Sequence, residues 1–323
     1  MGILLLVLAF RGIDFSRMVD GIRKANYAWI GIAIILMVAA NLSRAYRWNM
    51  LIQPLGYSPK LSNTFWSVMA GYMANLALPR MGEITRCGSL NQTDKIPLDV
   101  LIGTVIVERT LDVLMLILSI SLTAFLEYKL LGGFIYKNIV GPILIKISSL
   151  LSSATFLIFA ILLLSSIIAI AVIIYNNRKR IALFNKLVLV MTGVWSGMAT
   201  IFTMRKKWLF IAHTIFIWTM YYLMSYVCFF AIPATAQLGF TAGLFTLVLG
   251  GIGMTAPVQG GVGVYHLLVS QGLTLFGVSA PDGLLYATLV HTMQTIMMII
   301  LGSVGLLVIF MEKKKYISTY EAP

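Results

Sequence analysis

Charged side chains are scarce in this sequence, at 11% of 323 residues, whereas a soluble globular domain carries about 25%. That shortage excludes an ordinary water-soluble domain. Cysteine is nearly absent. The two present, Cys87 and Cys228, fall in or beside apolar segments, which excludes a disulfide framework and any metal-ligand spacing. The three histidines are isolated and add no metal motif. There is no glycine-rich nucleotide loop, no nucleophile elbow and no His-Glu-x-x-His. ATP hydrolysis is therefore not expected, and neither a cofactor nor a metal is implied. Alternating strands of ~10 residues are also missing, which argues against a membrane barrel.

Hydrophobic residues make up 59% of the chain, and its mean hydropathy is +0.93. Apolar runs of roughly 20 residues, the length that crosses a bilayer, recur throughout. Backbone amides cannot be left unpaired in hydrocarbon, so such runs must be helical. The expected fold is an all-α, polytopic membrane helix bundle of about 7–8 segments, some broken or re-entrant, forming a single domain over residues 1–323. The segments read as 27–50, 61–78, 98–125, 150–175, 208–232, 240–257, 264–278 and 284–311. Arg80 to Pro97 reads as a polar loop, 127–146 as an external loop with an amphipathic piece, and 181–204 as interfacial. Met1 to Phe10 is apolar but too short to span and has no basic flank or cleavage site, so it reads as a short first helix. Leu6 argues against myristoylation at Gly2.

The 24 Lys and Arg outnumber 11 Asp and Glu, for a net charge of +13. Most of the basic residues sit in short loops, which is the positive-inside pattern with a further attraction to anionic headgroups. No basic segment with interleaved aromatics points to nucleic acid. Clusters at Arg178 to Arg180, Arg205 to Lys207 and Lys313 to Lys315 all place the C-terminus in the cytoplasm. Arg44, Arg47 and Lys60, toward the opposite end of their segments, dissent from that assignment.

Three features need a physical reason. Glu108, Arg109 and Asp112 lie about ten residues into an apolar helix, some ~15 Å deep. Each charge at that depth is costly unless paired or wetted. Glu108 and Asp112 share a face, and Arg109 can pair with Asp112. The cluster reads either as an ion-pair network that locks helices or as the wall of a polar cavity. Arg44 and Arg47, three apart beside Tyr46 and Trp48, read either as an interfacial anchor or as a phosphate clamp. The third feature is a pair of breaks, Pro79-Arg80-Met81-Gly82-Glu83 and Pro257-Val258-Gln259-Gly260-Gly261-Val262-Gly263. Both must contain non-helical backbone. They read as surface turns or as the lining of a binding cavity. His266 follows the second break, either as a proton-linked or headgroup-contacting group or as a structural residue.

With these residues in view, the chain resembles the lysylphosphatidylglycerol synthase/flippase family, the membrane region of multiple peptide resistance factors and their stand-alone relatives. The likeness covers nearly the whole chain. It rests on Arg44-Ala-Tyr-Arg47-Trp48, on Asn75-Leu-Ala-Leu-Pro79-Arg80-Met-Gly82-Glu83-Ile-Thr-Arg86, on Glu108-Arg109-Thr-Leu-Asp112, and on Pro257-Val-Gln-Gly260-Gly261-Val-Gly263-Val-Tyr-His266. The resemblance implies a bacterial inner-membrane protein with re-entrant helices around a polar cavity that binds or moves a lipid. Two departures stand out. Gln259 replaces the proline that usually precedes the glycines, and His266 stands where the family carries a glutamate. Those changes to the glycine motif are the first departure; the second and larger is the absence of the soluble aminoacyl-transfer domain of the full-length synthases, so synthesis of the lipid is not expected.

The function expected is binding or translocation of a phospholipid or polyprenyl-phosphate lipid. Arg44, Arg47, Arg80 and Arg86 are the expected phosphate contacts, Glu108, Arg109 and Asp112 the polar floor, and Glu83 a gate. Asn75, Gln259 and His266 complete the candidate lining. An alternative is a non-transporting subunit that scaffolds a separate lipid-modifying transferase; another is a membrane enzyme acting on a lipid phosphate. A separate transferase and a second copy of the chain are further candidate partners, and nucleic acid is not one.

Overall fold

The structure, a computed structural model, describes residues 6–7, 9–10, 15–135 and 204–320. The spanning segment expected at 150–175, the interfacial stretch at 181–204 except Met204, and the end of the loop at 127–146 lie outside the described residues. Two compact units divide the chain, one from residues 1–123 and 201–323 and the other from 124–200. The charged cluster and both breaks belong to the first. In the second, the described residues are the end of one helix and the short helix that follows it.

The described elements run, in order, α1 (Phe15–Lys24), α2 (Tyr27–Ile52), α3 (Leu61–Ala77), α4 (Met81–Asp94), α5 (Leu98–Leu126), α6 (Tyr128–Ile135), α7 (Lys207–Val227), α8 (Phe240–Thr255), α9 (Val264–Thr274) and α10 (Ala280–Tyr320). No strand occurs among the described residues, so the all-α expectation holds. Three of these segments are long and apolar enough to cross a membrane: Tyr27–Leu55, Lys207–Ala231 and Ala280–Lys314. Phe240–Thr255 is a shorter apolar helix. The segment expected to span at 98–125 is one helix, α5, although it is not among those three.

Local sequence accounts for the boundaries. Asn26 caps α2, its side-chain oxygen accepting from the Ala28 amide at 3.1 Å. Asn26 also donates its own amide to the Ala231 carbonyl at 2.9 Å, which ties the start of α2 to the turn after α7. The basic stretch at 11–26 contains a helix, α1, with Met18 buried and Phe15 and Val19 exposed. Arg17 lies 3.4 Å from Asp282 at the start of α10.

The largest correction concerns residues 80–97, read from the sequence as a loop. They form α4. The segment is polar, yet its buried residues Gly82, Arg86, Ser89 and Leu90 recur at i, i+4, i+7 and i+8, the spacing of one helix face. That face packs on α3. The approach is close because both sides are glycine: a Cβ on Gly82 would stand 2.5 Å from the Gly71 carbonyl oxygen. Asn75 accepts a hydrogen bond from the Gly82 amide at 2.7 Å, closing the tip of the hairpin. At the open end, Asp94 accepts from the Lys60 amide and the Asn63 side chain, each at 3.0 Å. Polar sequence makes a helix here because its polar groups are spent on a second helix.

Around this hairpin the bundle has two principal apolar cores. Trp48, Ile52, Met69, Cys87, Leu90, Leu101 and Val105 form one. Cys228, Phe229, Val269, Leu273, Tyr286 and Val290 lie in the other. Both cysteines are free and buried, as expected. α10 packs on α3 through glycines: a Cβ on Gly305 would come within 2.8 Å of the Trp66 carbonyl oxygen.

Candidate functional site

Four helices bring seven charged side chains together. α2 supplies Arg44 and Arg47, α4 supplies Glu83 and Arg86, and α5 supplies Glu108, Arg109 and Asp112, while α7 contributes hydroxyls. Glu108 is the hub. Its side chain is 0% exposed, and its two oxygens take Arg44 Nε at 2.6 Å and Arg86 Nη1 at 2.9 Å. Arg47 Nη2 lies 3.5 Å away. Asp112 is the second anion, bonded to Arg47 Nη2 at 2.9 Å and closely paired with Arg44 Nη2. Arg44 also donates to the Tyr221 hydroxyl at 2.9 Å, and Arg47 to the Thr214 hydroxyl at 3.3 Å.

A buried charge survives only when it is paired and hydrogen-bonded. These side chains meet that condition by sharing. Glu108 and Asp112 each serve three guanidinium groups, and each of Arg44 and Arg47 reaches both of these carboxylates. Arg86 adds an aromatic face, its guanidinium carbon 4.7 Å from the Trp48 ring, a favourable cation–π position. Trp48 is itself pinned by an indole hydrogen bond to Thr104 at 2.8 Å. Unpartnered donors remain at Arg47 Nε and at Arg86 Nε and Nη2 among the described residues.

The interfacial-anchor reading of Arg44 and Arg47 is overturned. Snorkelling arginines and a belt tryptophan would be exposed, yet Arg44 is 4% exposed and Arg47 and Trp48 are 0%. The expected pairing of Arg109 with Asp112 is present, at 3.6 Å.

The cluster has an inside and a rim. Arg44, Arg47, Arg86 and Glu108 are closed off, whereas Asp112 is 17%, Glu83 33% and Arg109 40% exposed. Arg109 Nε lies 3.1 Å from Glu83, but out of line for a hydrogen bond. Arg80, three residues before Glu83, is exposed on the first break with a left-handed φ of 66°.

The second break lies apart from the charges. Gly260, Gly261 and Gly263 take φ values of 56°, 73° and 83°, a region open to glycine at little cost. Gln259 and Pro257 are exposed there. His266 is buried beside His291, ring centroids 4.8 Å apart, and its Nδ1 has no partner among the described residues. His291 holds the break itself, its Nε2 2.7 Å from the Gly260 carbonyl. The two breaks are nonetheless neighbours. A Cβ on Gly260 would stand 2.7 Å from Leu76, near the end of α3. One turn earlier on the same helix, the Tyr72 ring lies 5.9 Å from the Arg44 guanidinium. α3 thus joins the charged cluster to the second break.

Sequence reasoning missed Tyr221, Thr214, Tyr72 and the role of His291. A signal existed for two of them, since Thr214 and Tyr221 are seven apart and share a face of an apolar helix. No group of three or more residues able to hold a metal occurs among the described residues.

Comparison with known proteins gives a consistent picture. A UPF0104 membrane protein of Methanocaldococcus jannaschii is 31% identical over 112 residues, which is 34% of this chain and 33% of that protein. The match thus spans about a third of that relative's length. No solved structure matches. The family described as the lysylphosphatidylglycerol synthase TM region matches residues 1–302. This chain is a membrane protein of that family.

Proposed function

We propose that the chain binds a lipid with a phosphate-containing headgroup and moves it across the cytoplasmic membrane. The observation that carries this reading is the graded charge cluster, closed off inside and partly exposed at Arg109 and Glu83. Four guanidinium groups meet three carboxylates there, leaving one surplus positive charge. A phosphate complements that surplus, and guanidinium binds its oxygens through paired, charge-assisted hydrogen bonds.

The division of labour differs from the sequence expectation. Arg44, Arg47 and Arg86 orient Glu108 and Asp112 from within. Arg109 and Arg80 offer the accessible guanidinium groups, and Glu83 is the anion that a phosphate would displace. That exchange swaps one anion for another on Arg109, and the displaced Glu83, 33% exposed, can be solvated, so no buried charge is left unpaired. The helix breaks serve as the re-entrant lining, with α3 relaying the state of one to the other. The C-terminus faces the cytoplasm.

The test is transfer of fluorescent phospholipids in proteoliposomes, read by quenching of the exposed leaflet. Headgroup-dependent transfer is expected, lost in Arg109→Gln while the melting temperature holds. No transfer by folded wild-type protein, across anionic and zwitterionic headgroups, overturns the reading. The closed interior, where Glu108 is fully buried among three arginines, also favours a second reading, a scaffold for a separately encoded transferase. Co-purification of such an enzyme without lipid movement would select it.

A further inference from the structure

Away from the charged cluster, α2 and α7 enclose an open groove of about 530 Å³. Its long walls are Ala39, Leu42 and Tyr46 of α2 with Leu209, Ala212 and Phe216 of α7, and Leu61 at the start of α3 closes one end. Two polar side chains of its lining satisfy each other, Ser43 Oγ meeting His213 Nδ1 at 2.8 Å, and the Tyr46 ring lies tilted against His213 with centroids 4.8 Å apart. The surface offered to an occupant is therefore apolar almost throughout.

We propose that this groove is a discrete seat for one hydrocarbon chain of a membrane lipid. Position decides the occupant. Both long walls belong to segments long and apolar enough to cross a membrane, so lipid hydrocarbon is the occupant their position supplies. An unfilled groove forfeits dispersion contacts along its lining, and the molecule at hand to restore them is a lipid chain. Lipid is as apolar as the lining, so shape drives the fit. The volume lies within the ~300–1,000 Å³ of small-molecule sites.

The seat is separate from the phosphate site. On α2, residues 39, 42, 43 and 46 share one face, while Arg44 points to another. On α7 the same holds for 209, 212, 213 and 216 against Thr214. The proposal therefore stands whether or not the chain transports a lipid.

The experiment uses the whole protein in vesicles that contain a phosphatidylcholine with a photoactivatable diazirine in one acyl chain. Crosslinked peptides are then mapped by mass spectrometry. Labelling is expected to concentrate on residues 39–46 and 209–216. It should be lost in Ala212→Trp, which fills the groove, and retained in Leu307→Trp on the exposed face of α10. Where Ala212→Trp lowers the melting temperature, Ala39→Phe replaces it. Labelling spread evenly over all exposed apolar faces overturns the proposal, as does labelling that survives a folded groove-filling variant. Crosslinks to the groove from residues 136–203 of the same chain, found with a photoreactive amino acid at Phe216, overturn it too.

Discussion

Glu108→Gln removes the anion at the centre of the charged cluster while keeping its shape. In the native protein Glu108 is fully buried and bonded to Arg44 and Arg86, with Arg47 close by. The amide retains one acceptor oxygen but turns a nitrogen donor toward one of the two guanidinium groups. Arg44 and Arg47 then keep Asp112, while Arg86 loses the carboxylate it is paired with. Breaking a buried ion pair by removing one partner costs about 3–5 kcal/mol, mostly because a charge is left uncompensated. At ~2–4 °C per kcal/mol for larger domains, the melting temperature should fall by on the order of 10 °C. The assay is built into the chain. Its two cysteines are free and buried, Cys87 in one apolar core and Cys228 in the other, so a thiol-reactive dye in detergent reports unfolding of both. Pairing the change with Arg86→Gln should recover part of the loss, with a coupling energy of about 0.5–3 kcal/mol. A Glu108→Gln protein that melts within ~2 °C of wild type would refute the claim that this carboxylate holds the helices together.

Arg109→Gln should behave differently, because its side chain is 40% exposed and such pairs contribute at most about 1 kcal/mol. Thermal melting should barely move while headgroup-dependent lipid transfer falls, and a large drop in melting temperature would contradict the rim assignment. Gly82→Ala should destabilise the α3–α4 hairpin by about 1–3 kcal/mol, since its Cβ would meet Asn75 and the Gly71 carbonyl at 2.5 Å. Earlier labelling of Cys87 relative to Cys228 would register it. His291→Ala should cost about 1–3 kcal/mol by orphaning the Gly260 carbonyl. Partial rescue by His291→Gln would assign that cost to the hydrogen bond, and equal melting of the two variants would not.

Much of the site was legible because its residues are out of place in hydrocarbon. Glu108, Asp112, Arg44 and Arg47 stand in apolar helices, and a charge there demands a partner whatever the fold. The breaks were legible for a related reason, since proline and clustered glycine fit no uninterrupted helix. α4 was not. Its composition is that of a loop, and its helical face is marked by Gly82, Arg86 and Ser89, which become buried only when α3 presents Gly71 and Asn75 opposite them. Tyr72 and His291 were illegible for the converse reason. Both sit in ordinary apolar helices, and their partners lie on residues far away in the chain.

By itself the sequence determined that this protein lives in a membrane, that it is helical, and that certain charges must be neutralised within it. Those conclusions follow from the energy of single groups in hydrocarbon and from periodicity along one helix. Tertiary structure alone decided that Arg44 and Arg86, 64 and 22 residues from Glu108, meet on the same carboxylate, and that Arg109 stays at the rim. It also brought the second break against the end of α3. Helical spacing orders side chains only within one helix; which faces of separate helices meet depends on glycine contacts and cap bonds that no local pattern encodes.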